Sequence, residues 1–449
     1  MKILRAVALA LALLSVGQRL VAQDSVSRIQ LGVKGSSRGR QSLVVLAGRG
    51  LDSVRTIVER DLEFSDRYTV VHASDATVTL SGPFNPLALK ESGVNWVVEL
   101  QLAPGGVFVK LYDMATGAIR QQGAATLDAG GIGDTRITIH RVSDQIVAWI
   151  GGVGIAATRI AFKNGKDSAI WRIDSDGANV VRVSRAGSLT MTPAWSPDGS
   201  LLAYSEHRDG SWVLYLQRLN TGTRNVVPMA YSSVGSSTVY GPSFSPDGKT
   251  LVFSHGPADA LKGKGYDIES ADVSNVSGMC CAHRLTFSGT LADNLSPTYS
   301  PDGRRIALVS NRTGKPEIWV MDADGTGPSQ PVPAGYSENG RAFEMYTPGY
   351  SPDGTKIAFG RDTENGGRQL YYWSVGSGSV QVMTSQGRNE DPSWAPDSRH
   401  VVFKSTRSGS DQLWIFDLET GSFRQLTSKS VIIDGTRYPA WSRTLGTNP

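Results

Sequence analysis

One phrase recurs down this chain. It reads PAWSPDG from Pro193, PSFSPDG from Pro242, PTYSPDG from Pro297, PGYSPDG from Pro348 and PSWAPDS from Pro392, and its opening PAWS returns at Pro439. The intervals run from 44 to 55 residues. A repeat of that length marks one supersecondary unit that buries its apolar face on the next copy. After each of the first five copies comes a short apolar run, LLAYS, LVFSH, IALVS, IAFGR or VVFKS. A polar turn, a second strand such as SWVLYLQRL or DQLWIFDL, and a last short strand such as FRQLT follow. Four strands per unit, bounded by Gly, Asp, Asn and Pro, are the layout of one propeller blade.

The SPDG block is structural. Asp followed by Gly supports a tight turn with positive φ, Pro pre-sets its start, and the aromatic ahead of the Ser packs between neighbouring blades. Counting then decides the architecture. The inner pattern also stands at TRIAFKN, Thr158 to Asn164, followed by SAIWRIDSDG but with no PxWSPDG before it. The first unit lacks its opening strand and the last motif lacks its unit. Joining the two gives six blades closed by the C-terminal strand, with Pro439 and Trp441 as closure residues and PAWS paired beside TRIAF.

Local motifs with chemical readings give way to structural ones. DSDG at 174–177 and DADG at 322–325 resemble the acidic start of a calcium loop, but the third acidic or amide position and the bidentate Glu are missing, so each reads as a hairpin turn. GSSRG at 35–39 fits the nucleophile-elbow pattern without the strand-turn-helix setting it needs. The six histidines, His72, His140, His207, His255, His283 and His400, show no metal-ligand spacing. Neither a metal nor another cofactor is expected. Cys280 and Cys281 are adjacent in GMCCAHR, which excludes a long-range disulfide within one chain. The pair reads as free or vicinally bonded cysteines in the expanded loop at 255–285; a redox switch, or a metal site with His283, is the functional alternative.

The N-terminus carries Lys2 and Arg5, an apolar run from Ala6 to Gly17 and small residues to Ala22, the layout of a secretory signal over residues 1–22. The run is shorter than the 18 or so residues of a membrane anchor, and no Cys follows it for acylation. A soluble exported chain starting near Gln23 is expected. Without the signal, 42 basic residues face 41 acidic ones, so nothing favours a grip on nucleic acid. Residues 35–155 read as a separate α/β domain. Its elements are a helix at LDSVRTIVERDLEFS with Asp52 as N-cap, a strand at YTVVHA, a short helix at PLALKESG, a hairpin turned at Gly105-Gly106, and a closing helix at DTRITIHRVSDQIVAWIGG capped by Asp134. The propeller covers 156–445. The mature start, residues 23–34, contains the strand-like RIQLGV, which either frays or adds to a partner's sheet edge.

The order of segments, with a signal, the helix IVERDLEFSDRYTVV, a second helix running directly into TRIAF and six SPDG blades, resembles the TolB family of periplasmic proteins in the Tol–Pal system of Gram-negative bacteria. That resemblance covers essentially the whole mature chain. It implies a non-enzymatic adaptor in the periplasm that binds the lipoprotein Pal on one propeller face and the inner-membrane protein TolA through its mature N-terminal segment, supporting outer-membrane integrity and constriction at division. Carried onto this chain, the TolA-contacting segment runs from Asp24, with Ile29, Leu31 and Val33 on one face. The Pal-contacting loops precede the PxaS motifs and include Thr238, Tyr240, Gly241, Asn294, Leu295, Tyr346, Glu390 and Asp391. The chain departs from the family pattern at Thr238 and Leu295, where a His and a Thr are common, and in its expanded cysteine loop. A monomer without membrane insertion is expected.

The competing class is enzymatic. SPDG propellers also accompany serine peptidases and pectic-sugar lyases. A peptidase needs a hydrolase domain, whereas eight residues follow Trp441; a lyase needs a metal centre that the histidine spacing does not offer. A propeller with some other periplasmic ligand is the third reading.

Overall fold

The computed structural model describes residues 39–72, 79–80, 89, 93–127, 132–230, 237–257, 265–287, 292–327, 329–333, 343–429 and 435–444. The expected signal, the segment with Asp24, Ile29, Leu31 and Val33, most of GSSRG and of PLALKESG, and the side chain of Asp134 lie outside them. The chain divides into two compact units, residues 1–59 with 68–125, and residues 60–67 with 126–449.

The first unit is built on β1 (Gln41–Gly48), which pairs in parallel with β2 (Tyr68–Val70), β3 (Thr79–Leu80) and β4 (Trp96–Ala103). β5 (Gly106–Asp113) runs antiparallel to β4, and β6 (Ala118–Thr126) forms the edge. The sequence reading passed over β1 and β6. Leu43, Val44, Val45 and Leu46 are all buried, as a central strand covered on both faces requires. Between β1 and β2 runs α1 (Asp52–Phe64). Arg55 N–H donates to the Leu51 carbonyl at 2.9 Å, so the cap position falls on Leu51. Asp52 sits instead in the first turn, where its charge faces the positive helix end.

The second unit holds α2 (Ile132–Ile150) and six four-stranded antiparallel sheets. Read as the closing element of the α/β domain, α2 groups with the propeller unit. Its Asp144 carboxylate accepts the Ala156 and Ala157 N–H groups at 2.7 and 2.9 Å, and Ile137 packs with Ala157. Gly154 crosses so close to Asp144 that a Cβ there would lie 2.2 Å from its carboxylate.

Each blade is a meander from the channel outward. The inner strands are Arg437–Trp441 in blade 1, Thr190–Trp195 in blade 2, Ser237–Phe244 in blade 3, Asn294–Tyr299 in blade 4, Met345–Tyr350 in blade 5 and Asn389–Trp394 in blade 6. The apolar runs are the second strands, and both of their faces meet a neighbouring blade. Ile160 and Phe162 face blade 6 while Ala161 faces blade 2; Leu202 and Tyr204 face blade 1 while Ala203 faces blade 3. The same alternation continues around the ring, so six apolar clusters fill the six blade interfaces.

Blade 1 is assembled from both ends of the propeller. Ala440 pairs with Ala161 and Trp441 with Ile160, so PAWS lies beside TRIAF as the repeat count requires. Trp441 is 7% exposed, joins the blade 1–blade 6 cluster, and donates its indole N–H to Thr158 Oγ1 at 2.8 Å. Truncating a buried Trp costs about 3–5 kcal/mol. Trp441→Ala should lose stability on that scale in urea unfolding, and a loss below about 1 kcal/mol would show that the closing strand contributes little.

Candidate functional site

The repeat phrase builds the centre of the propeller. In four blades the motif Ser accepts an N–H from the first residue of the second strand, with Ser196 serving Leu201, Ser245 serving Thr250, Ser300 serving Arg305 and Ser351 serving Lys356 at 2.9–3.0 Å. The same hydroxyls bond the motif Asp; the Ser245 hydroxyl and the Lys249 N–H hold Asp247 below the usual carboxylate range. The turn glycines, Gly199, Gly248, Gly303 and Gly354, share φ of +72°.

The residue before each motif Pro has positive φ as well: Thr192 +48°, Gly241 +65°, Ser296 +51°, Thr347 +45°, Asp391 +57° and Tyr438 +52°. At all six the register with the second strand shifts, so each inner strand carries a β-bulge. Bulges re-aim side chains and recur beside binding sites. Here all six bulge residues line a central cavity of about 330 Å³ together with the motif prolines. Neighbouring inner strands are stitched across it: Gly241 N–H donates to Thr192 Oγ1 at 3.0 Å, Trp441 N–H to Ser393 Oγ at 2.9 Å, and Trp394 Nε1–H to the Gly349 carbonyl at 2.9 Å.

The stretches expected as loops before the motifs are therefore the first residues of the inner strands. Gly241, Asp391, Pro439 and Trp441 line the cavity. Thr238 and Asn294 are buried, Asn294 with its backbone N–H on the Tyr266 carbonyl at 2.9 Å, so both shape their strands. Leu295 packs against the blade 4–blade 5 cluster, and the Tyr240 ring meets Tyr266 edge-on at 5.5 Å. Tyr346 and Glu390 share one charged network. Glu390 accepts from Lys404 Nζ at 2.5 Å, Arg388 Nε at 2.7 Å and Arg368 Nη1 at 3.2 Å. Arg368 also bonds Asp362 at 2.9 Å and lies over the Tyr346 ring at 3.5 Å, a partly buried cation–π contact. Burial, reinforced by the charge on Glu390, pushes Asp391 up to about 6 while the Tyr438 N–H donates to it. Sequence reasoning missed Arg368, which only folding brings to Tyr346 and Glu390.

It also missed two buried ionic clusters. Asp61 accepts from Ser143 Oγ and meets His140 Nδ1, each at 2.7 Å; His140 Nε2 lies 3.7 Å from Asp176, which pairs with Arg60 and Arg136. Asp176 belongs to the DSDG turn, so that turn carries a second role. In blade 6 the variant WAPDSRH replaces the motif Ser by Ala395, and Asp397 instead takes the Arg399 and His400 N–H groups and His400 Nδ1 at 2.7–3.1 Å. His400 Nε2 faces Asp66 at 3.4 Å, and Asp417 is held by Arg399. Each carboxylate–imidazole group is compact enough to ligate a cation. The guanidinium groups already neutralise Asp176 and Asp417, so both clusters read as internal ion-pair networks.

A family profile described as the TolB beta propeller domain matches residues 150–337 and 335–443. This chain belongs to the TolB propeller family. The curated Tol-Pal system protein TolB of Bordetella parapertussis is 25% identical over 313 residues, 68% of this chain and 67% of that protein. Its counterpart in Bordetella avium is 28% identical over 236 residues, covering 51% and 53%. The crystal structure of TolB from Acinetobacter baumannii superposes with a TM-score of 0.73 at 24% identity over 92% of this chain and 99% of that one, which shows the shared fold. Among the described residues no helix is long and apolar enough to cross a membrane.

In the first of the two buried clusters the charge on the helix residue His140 matters. Burial disfavours protonated His140, but the Asp61 carboxylate on Nδ1 and Asp176 beyond it outweigh burial and raise its pKa above 6.5. A group raised in the folded state contributes stability that is present below its ordinary pKa and lost as pH rises through the folded value. His140→Gln should cost about 3 kcal/mol near pH ~6, the scale of a broken buried pair. In urea unfolding the deficit should shrink by about pH 9; an equal deficit at both pH values would contradict a charged imidazole.

Proposed function

We propose that this chain is a protein-binding adaptor of the Tol–Pal system, working in the periplasm after removal of residues 1–22 and without catalysis of its own. The propeller, residues 156–445, receives a Pal-like lipoprotein at the rim of its central cavity, using Tyr240, Gly241, Leu295, Tyr346, Glu390 and Asp391. Segment 23–34, ahead of the α/β domain at 35–155, engages a TolA-like inner-membrane protein by strand addition through Ile29, Leu31 and Val33. Linking these partners supports outer-membrane integrity and constriction at division.

The observation that carries the reading is the Tyr346–Arg368–Glu390 network beside the cavity of a TolB-family propeller. An aromatic and an arginine anchored by fixed carboxylates are the residue types that dominate binding energy at protein interfaces. Their geometry is held before any partner arrives, which lowers the ordering cost of association.

The test is a paired binding measurement on the full mature chain. Tyr346→Ala with Glu390→Ala should weaken binding of the Pal-like lipoprotein about tenfold or more, each tenfold being about 1.4 kcal/mol, while TolA-like binding stays unchanged. Deleting residues 23–33 should abolish TolA-like binding and spare the lipoprotein. Unaltered lipoprotein affinity in the double variant would refute the assignment of the rim.

A further inference from the structure

Blade 3 carries both cysteines on its outermost strand, Cys280–Arg284, where Cys280 and Cys281 are bonded to each other. Among the described residues that strand pairs within its sheet only with Asp267–Asp272, and both cysteines are exposed, which opens the pair to a reactant in solution. The bond joins adjacent residues. A disulfide stabilises chiefly by closing a long loop in the unfolded chain, and this one closes none, so opening it leaves the blade's cross-links intact.

The ladder beside the pair adds a geometric constraint. Asp272 pairs with Cys280 and Ser270 with His283, so three steps along the outer strand face two along its partner. Cys281 lies within this bulge with φ of +59°. Paired residues on both sides hold the two ends of the bulge, and the two cysteines remain neighbours whether or not their sulfurs are joined. The extra residue also brings His283 onto the same face as Cys280, since their partners Ser270 and Asp272 lie two apart.

We propose that Cys280–Cys281 is a redox-addressable dithiol site, opened by a dithiol reductant and then able to chelate a trivalent arsenical through both sulfurs. A thiolate of the reductant attacks one sulfur of the pair, and the other leaves as a thiolate that takes a proton. The reductant's second thiolate resolves the mixed disulfide. Two electrons and two protons pass to the pair, and the reductant is oxidised to its own disulfide. An arsenical of the type R–As=O then forms two As–S bonds, and its oxygen leaves as water with the two thiol protons, with no change in oxidation state. Two thiols held side by side suit this bidentate product, whereas a single thiol gives only one As–S bond.

The probe is phenylarsine oxide on the full mature chain, before and after treatment with dithiothreitol and desalting. Intact mass should show a gain of two hydrogens on reduction, then one phenylarsenic adduct per reduced chain, with none on the oxidised chain and none surviving desalting on Cys281→Ser. Far-UV circular dichroism and the thermal midpoint should be the same before and after reduction. A bond that resists dithiothreitol while the chain stays folded, a blade that unfolds on reduction, or a stable adduct on Cys281→Ser would each overturn the proposal.

Discussion

The pairing of Arg437–Trp441 with Arg159–Lys163 is the constraint on which the propeller depends. In blades 2 to 5 the motif Ser and the first residue of the second strand exchange backbone and hydroxyl hydrogen bonds across a four-residue turn. In blade 1 no turn connects them, yet Ser442 and Arg159 make the same exchange: Ser442 N–H donates to the Arg159 carbonyl at 2.8 Å, and Arg159 N–H to Ser442 Oγ at 2.9 Å. A local turn bond has become a clasp between residues 283 positions apart. Without it, the sheet edge at Ile160 would be unpaired, and the cluster holding Trp441 between blades 1 and 6 would lose its centre.

The closed ring is also what makes a site. Each inner strand ends its bulge at a motif Pro, which offers no N–H to the ladder, and the residue before it turns toward the axis. Six such residues surround one cavity only because the ring is complete. Asp391 and Tyr438 lie in successive blades and meet there, the Tyr438 N–H on the Asp391 carboxylate. Glu390 stands beside Asp391 on the inner strand of blade 6, and Arg368 reaches it from the third strand of blade 5, so the charged network ties the rim to two adjacent blades. Its arginine, lysine and aromatic groups are held by carboxylates before any partner binds.

Much of this was legible in the sequence because strand length and interface packing fix the period of the repeat. Runs such as RIAFK and LLAYS read as fully buried strands, and each does contact a blade on both sides. PAWS at Pro439 announced the split blade because an opening strand without its unit has one place to pair. Other features depend on contacts that the period does not encode. β1 went unread because no turn signal of the repeat type frames LVVLAG, and the loops before each motif proved to be strand because the bulge hides their continuity. Asp61, His140 and Asp176 come from two helices and a hairpin turn, and no spacing rule joins them. WAPDSRH was the one visible sign of the second cluster, a motif that had lost its Ser.

The most direct test of the central claim is the thermal unfolding of the mature chain beside one that ends at Thr436, followed by calorimetry and by hydrogen exchange at Ala161 and Phe162. If the closing strand holds the ring, the shortened chain loses its single cooperative transition or unfolds well below the intact protein, and those two N–H groups exchange rapidly at temperatures where the intact chain protects them. An unchanged midpoint with full protection at Ala161 and Phe162 would contradict closure of the ring by the C-terminal strand.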